Sequence, residues 1–121
     1  MGFSLPTGPQ PAVTNLSQLT MTTLFAVTRT RGPAWDPTKT MRSQAQWTEH
    51  AAFMNQLAAD GFVLLGGPIG DAVELDFLLI IKAATEDEIH ATLARDPWTP
   101  IGLLDVRKIE RWTILLEHPL T

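Results

Sequence analysis

The chain has 121 residues and a formal net charge of −4, with 45% hydrophobic and 18% charged residues. That length implies one domain with a single core, and the nine basic residues form no run or stripe of the kind that holds nucleic acid. With no cysteine, disulfides, thiol chemistry and thiolate metal sites are excluded. The longest apolar run, Phe77–Ile81, falls far short of the ~20 residues a membrane span requires. The histidines (His50, His90, His118) show no H-x3-H or H-E-x-x-H spacing, so neither metal nor cofactor is expected. A cytoplasmic protein is the default reading.

Residues 1–20 carry no charge and hold Pro6, Pro9 and Pro11, which reads as a flexible N-terminal arm ahead of a domain over residues 21–121. Thr23–Arg31 is rich in β-branched and apolar residues and reads as the first strand. Its alternation places Phe25, Val27, Arg29 and Arg31 on one face. The two arginines either clamp a carboxylate at a cleft mouth or form a solvated strand end. Gly32-Pro33 ends the strand, and Trp35 lies in the long connecting loop that follows, as a lid over a pocket or an anchor for the loop.

Ser43-Gln44-Ala45-Gln46 has the capping-box pattern, which predicts helix one from Gln44 to Ala59, closed by Asp60-Gly61. At about 100° per residue, Trp47, Ala51, Met54 and Ala58 share one face, with Phe53 and Leu57 on its flank. His50 falls inside that stripe. A lone histidine there is either a core residue bonded to a carbonyl or a titratable ring aimed into a cavity. Phe62–Leu65 reads as a short strand stopped by Gly66-Gly67-Pro68, where backbone can approach another segment or a ligand.

Val73–Lys82 reads as the third strand. Its continuous apolar half needs cover on both faces, which points to a second subunit's sheet and hence a homodimer. Thr85-Glu86-Asp87-Glu88 is a second capping box, with helix two running to about Arg95. Ile89, Leu93 and Ala94 are expected inward and His90 outward. Asp96-Pro97-Trp98 stops that helix. The last strand is expected over Asp105–Glu117, ending in the β-type run Trp112–Leu116, with a bulge or exposed edge at Arg107–Glu110. The order β-α-β-β-α-β predicts an α+β, ferredoxin-like fold: a four-stranded antiparallel sheet with two helices on one face. Pairing the open faces gives a dimeric α+β barrel.

Asp96 sits just past a helix C-terminus, against the negative end of the dipole. Either a cationic partner compensates, or Asp96-Pro97 caps a following turn. If Asp96 reaches His50, the carboxylate fixes the imidazole tautomer and makes a general base. With no nucleophile in a recognisable setting, proton abstraction, isomerisation or elimination fits better than acyl transfer.

The run H-A-A-F-M-N-Q-L-A-A-D-G-F-V-L-L-G-G-P, then D-P-W, then R-W-T-I-L-L, resembles the YCII-related family over roughly Thr23–Leu116. The resemblance implies the fold above and a site centred on His50 and Asp96, lined by Gly67 and Pro68. The family is similar to muconolactone isomerases and ring-dehydrochlorinating enzymes. The expectation is therefore a cofactor-independent lyase or isomerase acting on a small cyclic or aromatic, anionic metabolite. In it, His50 is the base, Arg29 or Arg31 holds the anion, and Trp35, Trp47 and Trp98 wall the pocket. The competing reading is a non-catalytic dimeric module that binds such a ligand.

Overall fold

The computed structural model describes residues 23–118, so the arm expected over residues 1–20 lies outside the described residues. Four strands and two helices follow the predicted order: β1 (Leu24–Arg31), α1 (Trp47–Ala59), β2 (Val63–Ile69), β3 (Asp76–Lys82), α2 (Glu86–Leu93) and β4 (Leu104–Arg111). The strands form one sheet in the order β2-β3-β1-β4, with every neighbouring pair antiparallel. This is the ferredoxin-like α+β arrangement.

Register decides which side chains face the helices. Phe25, Val27 and Arg29 of β1 pair with Ile81, Leu79 and Phe77 of β3, which places all six on one face. Phe25, Val27, Leu79 and Ile81 meet Leu57 of α1 and Ile89 and Leu93 of α2 in a largely aliphatic core. A second cluster at the other end of that face gathers Trp35, Phe77, Trp98, Leu103 and Leu104. Arg29 stands where hydrocarbon gives way to aromatic rings.

The two capping boxes have different outcomes. At α2 the Thr85 hydroxyl accepts from the Glu88 N–H at 3.2 Å, and the Glu88 carboxylate accepts from the Ala84 N–H at 2.8 Å. At α1 no such bond forms: the helix begins at Trp47, and Gln46 precedes it in the left-handed region at φ 56°. Met41–Ser43 is instead a 3-10 turn. Gln44 is buried, its amide bonding the backbone of Asp36 and Lys39 and so tying the long loop into a ring. The loop closed around Gln44 thus leads into α1 through Gln46, and Ser43 stays in the 3-10 turn.

Three further expectations are corrected. β2 does not stop at Leu65 but runs through Gly66-Gly67-Pro68 to Ile69, which an edge strand permits because one side needs no ladder donor. β3 starts only at Asp76, since Val73 to Leu75 form the hairpin tip, where Glu74 has φ 52°. β4 ends at Arg111, so Trp112–Leu116 is not strand, and Leu115 and Leu116 are 86% and 93% exposed. The Trp112 N–H still donates to the Leu24 carbonyl at 2.9 Å, where β1 begins, and high β-propensity does not carry a strand past the end of its neighbour. The bulge expected near Arg107 is present: the β1–β4 register shifts between Thr28 and Arg29, leaving Arg107 unmatched. On α2, Ile89 and Leu93 are buried and His90 exposed as expected, whereas Ala94 is exposed.

Candidate active site

Three distant elements converge where the aromatic cluster begins. β1 supplies Arg29, α1 supplies His50, and the turn after α2 supplies Asp96; they are 2%, 7% and 0% exposed. The His50 Nδ1 lies 2.8 Å from Asp96 Oδ1 and 2.9 Å from Oδ2. Arg29 Nη1 donates to Oδ2 at 2.7 Å, and the Trp98 backbone N–H donates to Oδ1 at 2.9 Å. The two sequence readings of Asp96 therefore hold together. It caps the Pro97–Thr99 turn through the Trp98 N–H, and it has a cationic partner.

The acid is held ionised. Burial pushes the Asp96 carboxyl up, but hydrogen bonds from His50, the Trp98 N–H and Arg29, together with the Arg29 charge, keep it below the ordinary carboxylate range. A carboxylate can only accept, so Nδ1 of a neutral His50 carries the proton and Nε2 keeps its lone pair. Nε2 has no hydrogen-bond partner among the described residues.

Aromatic packing fixes the ring. Trp98 stacks on His50 with centroids 3.7 Å apart and planes 5° apart, and its indole N–H donates to the Ala45 carbonyl at 2.6 Å. Trp47 packs against both, with centroids 5.8 Å from each.

His50 opens into a cavity of about 360 Å³ between α1 and the β2–β3 hairpin, within the range of small-molecule sites. Its walls are mostly apolar: Trp47, Met54, Phe77, Leu79 and Trp98, with Met41 contributed by the 3-10 turn. Gly66 and Gly67 form the β2 side, with Pro68 beyond them. A Cβ at Gly66 would lie 2.7 Å from Leu79 Cδ2, so glycine here keeps open a space that a side chain would crowd.

Of the residues singled out from sequence, the structure brings Arg29, Trp47, His50, Gly67, Pro68 and Trp98 to this cavity, with Asp96 behind His50. Arg31 and Trp35 are not among its lining. Arg31 donates to the carbonyls of Glu74 and Val73, both at 2.6 Å, and lies over the Trp35 ring. Trp35 is a buried anchor between Phe77 and Trp98 rather than a lid. Arg29 does line the cavity, but its charge is met by Asp96 and its Nη2 donates to the Thr99 hydroxyl at 3.2 Å, while its buried Nε has no hydrogen-bond partner among the described residues. Met41 and Phe77 were not foreseen. Phe77 opens an unbroken apolar run, which does not say which face it takes, and nothing periodic marks Met41 in its loop.

Among the described residues no helix is long and apolar enough to cross a membrane. None of the curated proteins matches the chain. A solved structure does: 5-chloro-2-hydroxyhydroquinone dehydrochlorinase from Burkholderia phenoliruptrix, in complex with 2,5-dihydroxybenzoquinone. It is 27% identical, with a TM-score of 0.53, over 74% of this chain and 92% of that one. Residues 23–113, well over half the chain, match the model of the YCII-related domain. The chain belongs to the YCII-related domain family.

Proposed function

We propose that this protein is a small enzyme of the lyase or isomerase type, in which Nε2 of His50 removes a proton from a small cyclic or aromatic molecule held in the cavity. The observation that carries this reading is the bond between His50 Nδ1 and the buried Asp96 carboxylate, which leaves the opposite ring nitrogen as an acceptor beside an apolar cavity. The base takes the proton, and the C–H electron pair forms a double bond. The step is completed by loss of a leaving group with its electron pair, or by return of the proton to another carbon. The similarity to a 5-chloro-2-hydroxyhydroquinone dehydrochlorinase supports the first outcome.

The cavity favours flat, largely apolar molecules, because its walls are indole, phenyl and thioether groups. For the anionic substrate expected from sequence, Arg29 is the arginine in the lining, its charge shared with Asp96, whereas Arg31 lies outside the lining.

The test is turnover of a panel of hydroxylated and halogenated ring compounds in deuterated water, followed by proton NMR. The expected result is release of halide or exchange of a ring proton, with His50→Gln lowering the rate at least about 100-fold. Binding of these compounds without turnover would leave a ligand-binding module. Equal rates in the His50→Gln protein would end the proposal.

The subunit arrangement belongs to the same proposal. On the sheet face away from the helices, Leu65 and Ile69 of β2 are 61% and 47% exposed beside Leu78 of β3, and two such faces pairing would cover them. Sedimentation equilibrium should give twice the chain mass, and Leu65→Glu should return a single chain. A single-chain mass in the wild type would remove the pairing without touching the chemistry.

A further inference from the structure

We infer that Arg29 is a positioning residue for the His50 base: its charge, delivered through Asp96, leaves the imidazole neutral and able to accept a proton. The inference rests on the base role proposed for His50, and it gives Arg29 a different task from binding substrate.

The geometry fixes the arginine before any substrate arrives. Nη1 meets Asp96 Oδ2 at 2.7 Å, and Nη2 meets the Thr99 hydroxyl at 3.2 Å. That hydroxyl donates in turn to the Leu93 carbonyl at 2.7 Å. The carboxylate is thus held by a guanidinium from β1, an imidazole from α1 and its own turn's Trp98 N–H.

Counting charge in this buried trio decides the protonation of the ring. With Arg29 cationic and Asp96 anionic, the site is neutral when His50 is neutral and carries one positive charge when the ring is protonated. Without Arg29 the balance reverses. A neutral ring then leaves a lone buried carboxylate, and the imidazolium becomes the counter-ion. Interiors resist an unpaired charge, so removing the arginine should raise the proton affinity of His50 and take away its capacity to act as a base.

The other charges around the site cannot produce this reversal. Arg42, next to the 3-10 turn's end, lies over the Trp47 ring at 5.7 Å, and Arg95 lies over Phe53 at 5.9 Å. His90 of α2 and Asp105 of β4 share a second cavity with Arg29, and Glu49 is on α1 itself. These five are exposed, so water and salt screen them; Arg31 and Glu74 are half-buried, but Arg31 is held by the Glu74 carbonyl and Glu74 by the Met41 N–H, and all seven are the same with and without Arg29.

Ring-nitrogen NMR of His50 against pH tests the inference without any substrate. The expected result is a midpoint at least about one unit higher in Arg29→Met than in wild type, a tenfold gain in proton affinity. Arg29→Lys, which restores the charge, should bring it back. A merely structural arginine would lower the unfolding midpoint and leave the His50 titration where it was, and that result would overturn the inference. Should Arg29→Met fail to fold, Arg29→Gln, which keeps a donor toward Asp96 but drops the charge, takes its place: the same upward shift of the His50 midpoint is expected, and an unshifted midpoint would overturn the inference. Unchanged turnover in His50→Gln would sink the proposed function while leaving this titration to stand or fall by itself.

Discussion

The helix-facing side of the sheet has two ends built on opposite rules. At one end Phe25, Val27, Leu79 and Ile81 meet Leu57, Ile89 and Leu93 with no polar side chain in the cluster. At the other, two residues further along the same face of β1, Arg29 enters a nest of tryptophans and binds a carboxylate that is fully buried. The first end is suited to stability, since each buried aliphatic side chain contributes about 1.5–3 kcal/mol. The second gives up that gain. A buried ion pair roughly breaks even against hydrocarbon of the same volume, so its retention beside a cavity is better explained by what it does to His50 than by what it adds to stability.

The comparison can be broken most forcefully at Asp96. Asp96→Asn leaves the Arg29 charge buried without its counter-ion and should destabilise by about 3–5 kcal/mol in urea unfolding. The double variant Arg29→Met with Asp96→Asn should recover most of that loss while turnover stays low. If the single and double variants were equally unstable, the pair would be contributing through something other than charge balance.

At the aliphatic end, Ile89→Ala should cost about 2–4 kcal/mol, the loss of a fully buried side chain plus the space it leaves. The His50 ring resonances should not move in that protein, because Ile89 belongs to the other cluster. Shifted resonances would show that the two ends are not independent.

Acid should weaken only the charged end. Because the Asp96 carboxyl is lowered from its ordinary value of 3.8, the folded state binds its proton less readily than the unfolded chain. Its contribution is therefore complete above that value and is lost as pH falls from about 3.8 through the lower folded value. Urea midpoints between pH 5 and pH 2 should fall more steeply in wild type than in the Arg29→Met, Asp96→Asn double variant. Parallel slopes would contradict this.

The smallest effects separate the two helix starts. Thr85→Ala removes a cap that is formed and should cost about 1 kcal/mol, whereas Ser43→Ala should stay within about 0.5 kcal/mol, since Ser43 makes no cap to α1. Equal costs would mean that the Ser43 cap forms after all in solution.

These helix starts also show how far the sequence could be read. Both carry the same pattern, yet only Thr85 uses it: the loop is closed around Gln44, which meets three backbone carbonyls and an N–H, and Gln46 precedes α1 at φ 56° with no side-chain cap. Pattern alone could not reveal that competition, since the loop's folded path brings the partners to Gln44. The opposite case is His50. Its place on the apolar stripe was legible, and the aspartate it meets was named from the D-P-W motif. That Arg29 would take the other carboxylate oxygen was not.

By itself the sequence determined the order of elements, the two faces of β1, the formed cap of α2 and the break at Asp96-Pro97. Each of these follows from side-chain alternation or from backbone chemistry among neighbours a few residues apart. Only the tertiary structure decided that Asp96 sits within bonding distance of His50, 46 residues away, and of Arg29, 67 residues away. It also decided that Trp112–Leu116 stays out of the sheet. Both outcomes depend on sheet register and on which segments lie side by side. A charge finds its counter-ion, and a strand its neighbour, only when the packed elements bring them together.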